Sequence, residues 1–494
     1  MKNVRKNNAV KRIADNAFFV LIARASEFVS GFLIIILITR YLGVKDFGMY
    51  AYISSAALML APIIAFGSGR ILVREIAVNK DKMASFVTSG FALNIAMSLI
   101  ALGVAAVIAV ASDLMSPIYL VALFMAVAAQ TMLAMSRNIK TVFIAFERAV
   151  YNSVTTVLTR LLSVVSIVAV TYFDMGLVSL FAAMLAVNTF GLIFSFSVLH
   201  FQFAKIKIAL DIDLLKYLFK ETYPVAISVF FAQGFLYVNV FLLKYFHDVT
   251  QISYFQAPQR IINPLIVIFS ALTVVVSPVL ARAAAKDAID DLKYALNKMI
   301  KYTVILVIPL CLSVTFFAPQ ITLLLFGEQF VGATVPFQIL IWITIPAFIN
   351  VLLAQMLTAM KKQKILIISN GIGFLVNLAL GLIFVNTYAS VGMCWASLLS
   401  YIGLLAGNFY FVFKFLGLIP IHKLLVRPLI AGSIMCISFY LLMDQINVII
   451  GIGLIVLYGG LLFMFKTFTK DEIEVFKAGL LWRFGTRPER LDRK

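Results

Sequence analysis

Apolar residues fall in long unbroken runs along this chain, without the two-residue alternation of half-buried strands. Fourteen runs have the length and apolarity of membrane-crossing helices: 17–39, 49–69, 84–110, 117–136, 151–172, 176–200, 222–243, 253–280, 302–325, 335–360, 365–386, 391–413, 428–443 and 447–465. A bilayer core takes about 20 apolar residues per helix. The last pair is the least distinct, because 428–443 is short and only Asp444, Gln445 and Ile446 follow it before the next run. Met1–Asn16 is basic, but the run after it holds Arg24 and Glu27 and has no small-residue cleavage site. It therefore reads as a retained first helix rather than a signal peptide.

Composition agrees. Of 494 residues, 63% are hydrophobic and 13% charged, with a mean hydropathy of +1.03, against about 45–50% apolar and about 25% charged in soluble domains. The net charge of +19 would suit a nucleic-acid binder, but the hydropathy excludes one. Its placement explains it instead. If the N-terminus lies inside, the inner connections hold 35 of the 41 Lys and Arg, and the outer ones only Arg40, Lys45 and Lys244. The positive-inside rule then places both termini in the cytoplasm. Cys311, Cys394 and Cys436 are far apart within apolar runs, and His200, His247 and His422 sit at run edges. Neither a disulfide framework nor a metal site is expected, and no catalytic residue is assigned. Without a GxxxxGK[ST] loop, ATP is not the direct energy source.

The expected fold class is an all-α polytopic membrane protein of about 14 transmembrane helices. A faint parallel repeat divides it: Arg40-Tyr41-Leu42 matches Lys244-Tyr245-Phe246, with Tyr50 and Tyr254 nine residues beyond each tyrosine, and Leu72-Val73-Arg74 matches Leu280-Ala281-Arg282. On this division 1–200 is an N-terminal lobe, 201–221 a cytoplasmic linker and 222–413 a C-terminal lobe. Two further helices occupy 414–465 and a basic cytoplasmic tail 466–494. Ile289, Leu292, Leu296 and Met299 share one helical face, as do Ile473, Phe476, Leu480 and Phe484, so both segments are expected to lie at the membrane surface.

The pattern Asn16-x-x-Phe19, Arg24, Glu27, then Thr39-Arg40-Tyr41-Leu42-Gly43 and Phe47-Gly48-x-Tyr50, resembles Wzx-type polysaccharide flippases. So do Phe66-Gly67 and Val73-Arg74-Glu75-Ile76-Ala77. These flippases belong to the multidrug/oligosaccharidyl-lipid/polysaccharide exporter superfamily, with lipid II flippases and MATE antiporters as relatives. The resemblance is carried by roughly the first 80 residues. It implies two six-helix lobes around a central cavity opening alternately to each side of a prokaryotic cytoplasmic membrane. The implied cargo is a polyprenyl-pyrophosphate-linked oligosaccharide, with membrane lipids and other polysaccharide-assembly proteins as partners. No cofactor is implied; coupling to a proton or Na+ stays open.

Charged side chains within spans are costly, about 2.5–3.5 kcal/mol each at a helix centre. Four lie inside the predicted runs: Arg24, Glu27, Arg160 and Arg260. Arg24 and Glu27 stand three apart on one helical face. By helical rise, Arg24 and Arg160 fall in the inner half of the membrane and Arg260 in the outer half. The cationic excess favours an anionic substrate, since Arg grips pyrophosphate oxygens as a two-pronged fork. Arg24, Arg160 and Arg260 are therefore the candidate pyrophosphate ligands, and Glu27 is a coupling group or the structural partner of Arg24. The competing reading is that the arginines snorkel or brace helices. Asn94, Tyr254, Gln256, Gln259 and Asn263 are candidate glycan contacts, although interhelical glue uses the same residue types. A MATE-type antiporter of cations would instead need free carboxylates. A membrane glycan polymerase would need a sizeable outer loop, and the outer connections here are short.

Overall fold

The computed structural model describes residues 2–112, 116–203, 211–286, 288–417, 421–445, 447–469 and 472. Among them are fourteen α-helices and no strands: α1 (Lys2–Ala65), α2 (Ser68–Val78), α3 (Met83–Ala111), α4 (Pro117–Ala145), α5 (Ala149–Tyr172), α6 (Gly176–Gln202), α7 (Ile212–Phe246), α8 (Val249–Ala285), α9 (Ile289–Phe326), α10 (Thr334–Leu340), α11 (Thr344–Ala359), α12 (Gln363–Leu416), α13 (Ile421–Leu441) and α14 (Val448–Met464). Nine stretches are long and apolar enough to cross a membrane among the described residues. Two of these are double. Phe18–Ala65 and Gln363–Leu416, of 48 and 54 residues, would rise about 70–80 Å if straight, against a hydrocarbon core of about 30 Å. Each is broken at one residue of positive φ, Gly43 (φ 65°) and Ala389 (φ 45°). Each supplies two of the predicted crossings.

The connections sort to opposite ends of the bundle as an alternating path requires. At one end, Tyr41 accepts from the Gly176 amide (2.7 Å), Tyr52 bonds Ser112, His247 Nε2 lies 2.7 Å from the Val385 carbonyl, and Gln251 accepts from Ser390 (2.6 Å). At the other, Arg74 reaches Tyr217 and Glu221 (3.2 Å each), Lys80 caps the Phe146 ring, and Lys293 abuts Gly417. This second end carries most of the basic connections.

Two expectations are corrected. The run 49–69 does not stay one helix: Phe66 and Gly67, both at positive φ, end α1 and turn the chain into α2. Residues 288–299 do not lie flat on a membrane surface. They are the first turns of α9, with Leu292 and Leu296 buried against Leu416 and other apolar residues of the second lobe. The same i, i+3, i+7 spacing suits a lipid surface or a protein groove, and packing decided for the groove. Ile473, Phe476, Leu480 and Phe484 lie outside the described residues, as does most of the 466–494 tail. So do 204–210 of the 201–221 linker, while Asp211 caps the start of α7 by accepting from the amides of Asp213 and Leu214.

Helices α13 and α14 pack on α9 outside the two lobes, with Phe439 stacked on Phe316 (4.8 Å) and Gly451 against Phe317. Beyond α14, buried Glu472 takes ion pairs from Lys298 and Lys301 of α9 (2.7 Å to Lys301). Burial opposes its ionisation, but hydrogen bonds from the two lysines outweigh that and hold its carboxyl at about 2, below the ordinary 4.5. A depressed carboxyl stabilises above its unfolded value and stops doing so as pH falls through the folded one. This strap is therefore expected to hold at neutral pH and to release between about pH 4.5 and 2, losing on the order of 3 kcal/mol. Hydrogen exchange at Thr467–Thr469 should rise across that window. Exchange that stays flat down to pH 2 would contradict the clamp.

Candidate substrate site

The first lobe gathers charge around one carboxylate. Arg24 on α1 donates to Glu27 Oε2 at 2.9 Å, one turn along the same face, and Arg160 of α5 stands 3.8 Å from Glu27 Oε1. The three side chains remain accessible, at 62%, 31% and 43% for Arg24, Glu27 and Arg160. Three of the residues singled out in the sequence thus form one group.

Two further cations belong to it that the sequence did not point to. Arg137 and Lys140 of α4 both feel the charges of Arg160 and Glu27, and Lys140 Nζ lies 3.5 Å from Thr156 on α5. Arg137 is exposed on α4. The predicted run 117–136 stopped at the first charge, whereas α4 continues to Ala145. A signal was present: Ile139, Val142 and Phe143, spaced one helical turn apart, are all fully buried and mark an amphipathic continuation whose polar face carries Arg137 and Lys140. Two arginines share one carboxylate here, and two further cations stand in their neighbourhood.

Arg260 is elsewhere. It lies on α8 above the rings of Tyr50 (5.1 Å) and Phe47 (5.8 Å), a cation–π arrangement. None of the ion pairs among the described residues includes it. The rings beneath belong to a seal where the lobes meet. Phe47 packs edge-on against Phe330 (5.7 Å), Ser253 donates to the Val44 carbonyl, Arg40 donates to the Leu324 and Leu325 carbonyls, and Gly48 lies against Val249. Residues 44 and 48 of one half thus meet 253 and 249 of the other. These are near-equivalents under the offset of 204 seen in the sequence repeat, so the repeats close on each other across a local pseudo-twofold axis. The end of the bundle holding 40–50, 249–253 and 324–332 is shut.

The neutral candidates divide. Asn94 is fully buried: it donates to the Ile64 carbonyl (2.7 Å), left without a helical partner where α1 ends, and accepts from Asn138, which accepts from Ser68. It ties α1, α2, α3 and α4 together and does not reach a cavity in this conformation. Gln256 and Gln259 are buried and bonded to each other (3.3 Å), and the Tyr254 ring is pressed against Gly332. Asn263 is half-buried on α8. In this conformation the core holds Asn94, and Gln256 and Gln259 are buried on α8.

A separate apolar cavity of about 400 Å3 opens among α9, α11, α12 and α13, lined by Ile308, Trp342, Phe409, Leu429 and Cys436 among others. No polar cluster lies in it.

This architecture is that of an all-α polytopic membrane protein. The chain belongs to the polysaccharide biosynthesis protein family, whose profile matches residues 13–284, just over half of it. A second profile, MatE, matches residues 224–383. A search of curated proteins finds no match. Among solved structures the chain is similar to the lipid II flippase MurJ in an inward closed conformation, with a TM-score of 0.70 at 16% identity over 91% of this chain and 99% of that one. It is also similar to a multidrug resistance MATE family transporter in an inward-facing conformation, with a TM-score of 0.68 at 13% identity over 79% and 95%. For an outward-facing conformation of such a transporter the score is 0.55 at 14% identity over 80% and 95%. The protein is thus a multi-pass membrane protein with the fold of the MOP superfamily, and its relatives are transporters and flippases.

Proposed function

We propose that the protein moves a polyprenyl-diphosphate-linked oligosaccharide from the cytoplasmic to the outer leaflet of a prokaryotic cytoplasmic membrane by alternating access, without catalysing a covalent step. The observation that carries this reading is the accessible pair Arg24 and Arg160 sharing Glu27, with Arg137 and Lys140 near enough to feel its charge. With the basic end of the bundle in the cytoplasm, along with both termini, the closed end is the outer one. The Arg24 group then stands ready for a headgroup arriving from inside. The apolar cavity beside α13 offers room for polyprenyl units while the head crosses. A wet cationic path spares glycan hydroxyls a transfer cost of about 4–8 kcal/mol each into hydrocarbon. A negative-inside potential adds about 2.3 kcal/mol per negative charge per 100 mV in the outward direction.

The MatE match favours a second reading, ion-coupled export of small molecules. A cation exporter would use an uncommitted carboxylate, and Glu27 is already paired with two arginines. The two readings separate in proteoliposomes. Expected is potential-stimulated translocation of a fluorescent polyprenyl-diphosphate oligosaccharide, with no gradient-driven efflux of organic cations. Cation efflux with no lipid translocation would reverse the assignment.

A further inference from the structure

Glu27 stands where an anionic ligand would stand. Each of its oxygens faces a different guanidinium, at 2.9 Å and 3.8 Å. Carboxylate and phosphate offer the same kind of oxygen pair to an arginine fork, so whatever binds these arginines must contend with Glu27. The contact to Arg160 is longer than a hydrogen bond. The group is open to solvent, and Arg137 and Lys140 leave cationic charge in excess of what one carboxylate balances. Without any anion, Arg24, Arg160 and the neighbouring cations would repel one another, a cost that solvent screens only in part.

We propose that Glu27 is an internal counter-anion: it occupies the phosphate position between Arg24 and Arg160 while the site is empty, and the substrate diphosphate displaces it. The proposal rests on the diphosphate-carrier reading above and adds how the site lets go. Arg137 and Lys140 make an incoming diphosphate, with more negative charge than a carboxylate, the stronger competitor. Glu27 remains on α1 at high effective concentration and reclaims the arginines as the substrate moves on. Competition of this kind weakens ground-state binding and so speeds turnover. No bond is made or broken; one anion exchanges for another.

Sign separates this role from that of a mere brace. If Glu27 only positions Arg24, removing its charge leaves the guanidinium loose and anion binding weakens. If Glu27 competes, binding tightens. The test uses the purified full chain and inorganic pyrophosphate as the probe. Glu27→Gln is expected to bind pyrophosphate about ten-fold more tightly than the parent, about 1.4 kcal/mol. In lipid translocation both KM and kcat should fall, since tighter binding retards release. Should Glu27→Gln not purify in folded form, Glu27→Asp keeps the charge but shortens the reach to Arg160, and a two- to three-fold tightening is expected. Unchanged or weaker binding by the folded variant, with parental binding intact, overturns the role of Glu27 alone. Failure of the parent and the variant alike to bind pyrophosphate overturns the anion-carrier reading, and this one with it.

Discussion

Arg24→Ala is expected to reduce glycan-lipid translocation by roughly ten- to a hundred-fold while leaving the amount of membrane-inserted protein near the parental level. A hydrogen bond to a charged group contributes about 1.5–3 kcal/mol, and Arg24 is positioned to spend that on the substrate because its side chain is largely accessible. Its pair with Glu27 adds little to the fold, since accessible ion pairs are worth about 0–1 kcal/mol. Glu27 would not be stranded either, because Arg160 remains beside it. Arg24→Lys should recover only part of the activity, since an ammonium is a point charge without the planar fork. The measurement is translocation normalised to folded protein. Loss of activity strictly proportional to loss of protein would mean that Arg24 braces the bundle. Normal export by the alanine variant would remove the cationic site from the mechanism.

The second large effect is expected at Gly48→Ala. Alanine is the better helix former by about 1 kcal/mol, so local propensity alone forecasts a slightly more stable protein. The contact across the seal forecasts the reverse. A Cβ at position 48 would sit 2.1 Å from the Val249 carbonyl oxygen and 2.8 Å from Ser253 Oγ, and a backbone atom has nowhere to yield without parting the lobes. Transport should fall at least about ten-fold as the closed state is lost, with the stability of each lobe retained. A cysteine replacing Tyr254, which packs against Gly332 in the same seal, should react with an impermeant thiol reagent from the outside in the Gly48→Ala background and be protected without it. Equal protection in both backgrounds would show that the seal tolerates the methyl group.

Much of this architecture is legible in the sequence because a membrane imposes one dominant rule. Backbone polar groups must be paired within the segment, so apolar runs become helices. The breaks at Gly43 and Ala389 fall in the gaps between predicted runs. The run boundaries fail instead at Phe66 and Gly67, where the backbone turns inside an apolar run, and at Arg137, where α4 continues past a charge. Arg137 and Lys140 were passed over because a charge marks a membrane boundary and a cavity wall equally well. Asn94 had the composition of a sugar ligand, and only the broken end of α1 at Ala65, with its orphaned Ile64 carbonyl, turned it into a structural tie.

By itself the sequence determined the class of protein, the order of its apolar helices, the gathering of basic residues in alternate connections and the presence of charged residues within apolar runs. Hydropathy and charge are sums over local residues, and a bilayer reads them locally. Which charges share a site was decided only by tertiary structure. Arg24 and Glu27 lie one turn apart, but Arg160 and Arg137 come to them from α5 and α4, more than a hundred residues away. The seal was decided in the same way, because the closeness of Gly48 to Val249 depends on how two lobes of similar pattern face each other. Contacts of that kind arise from the packing of whole helices against one another, which no local sum of hydropathy or charge contains.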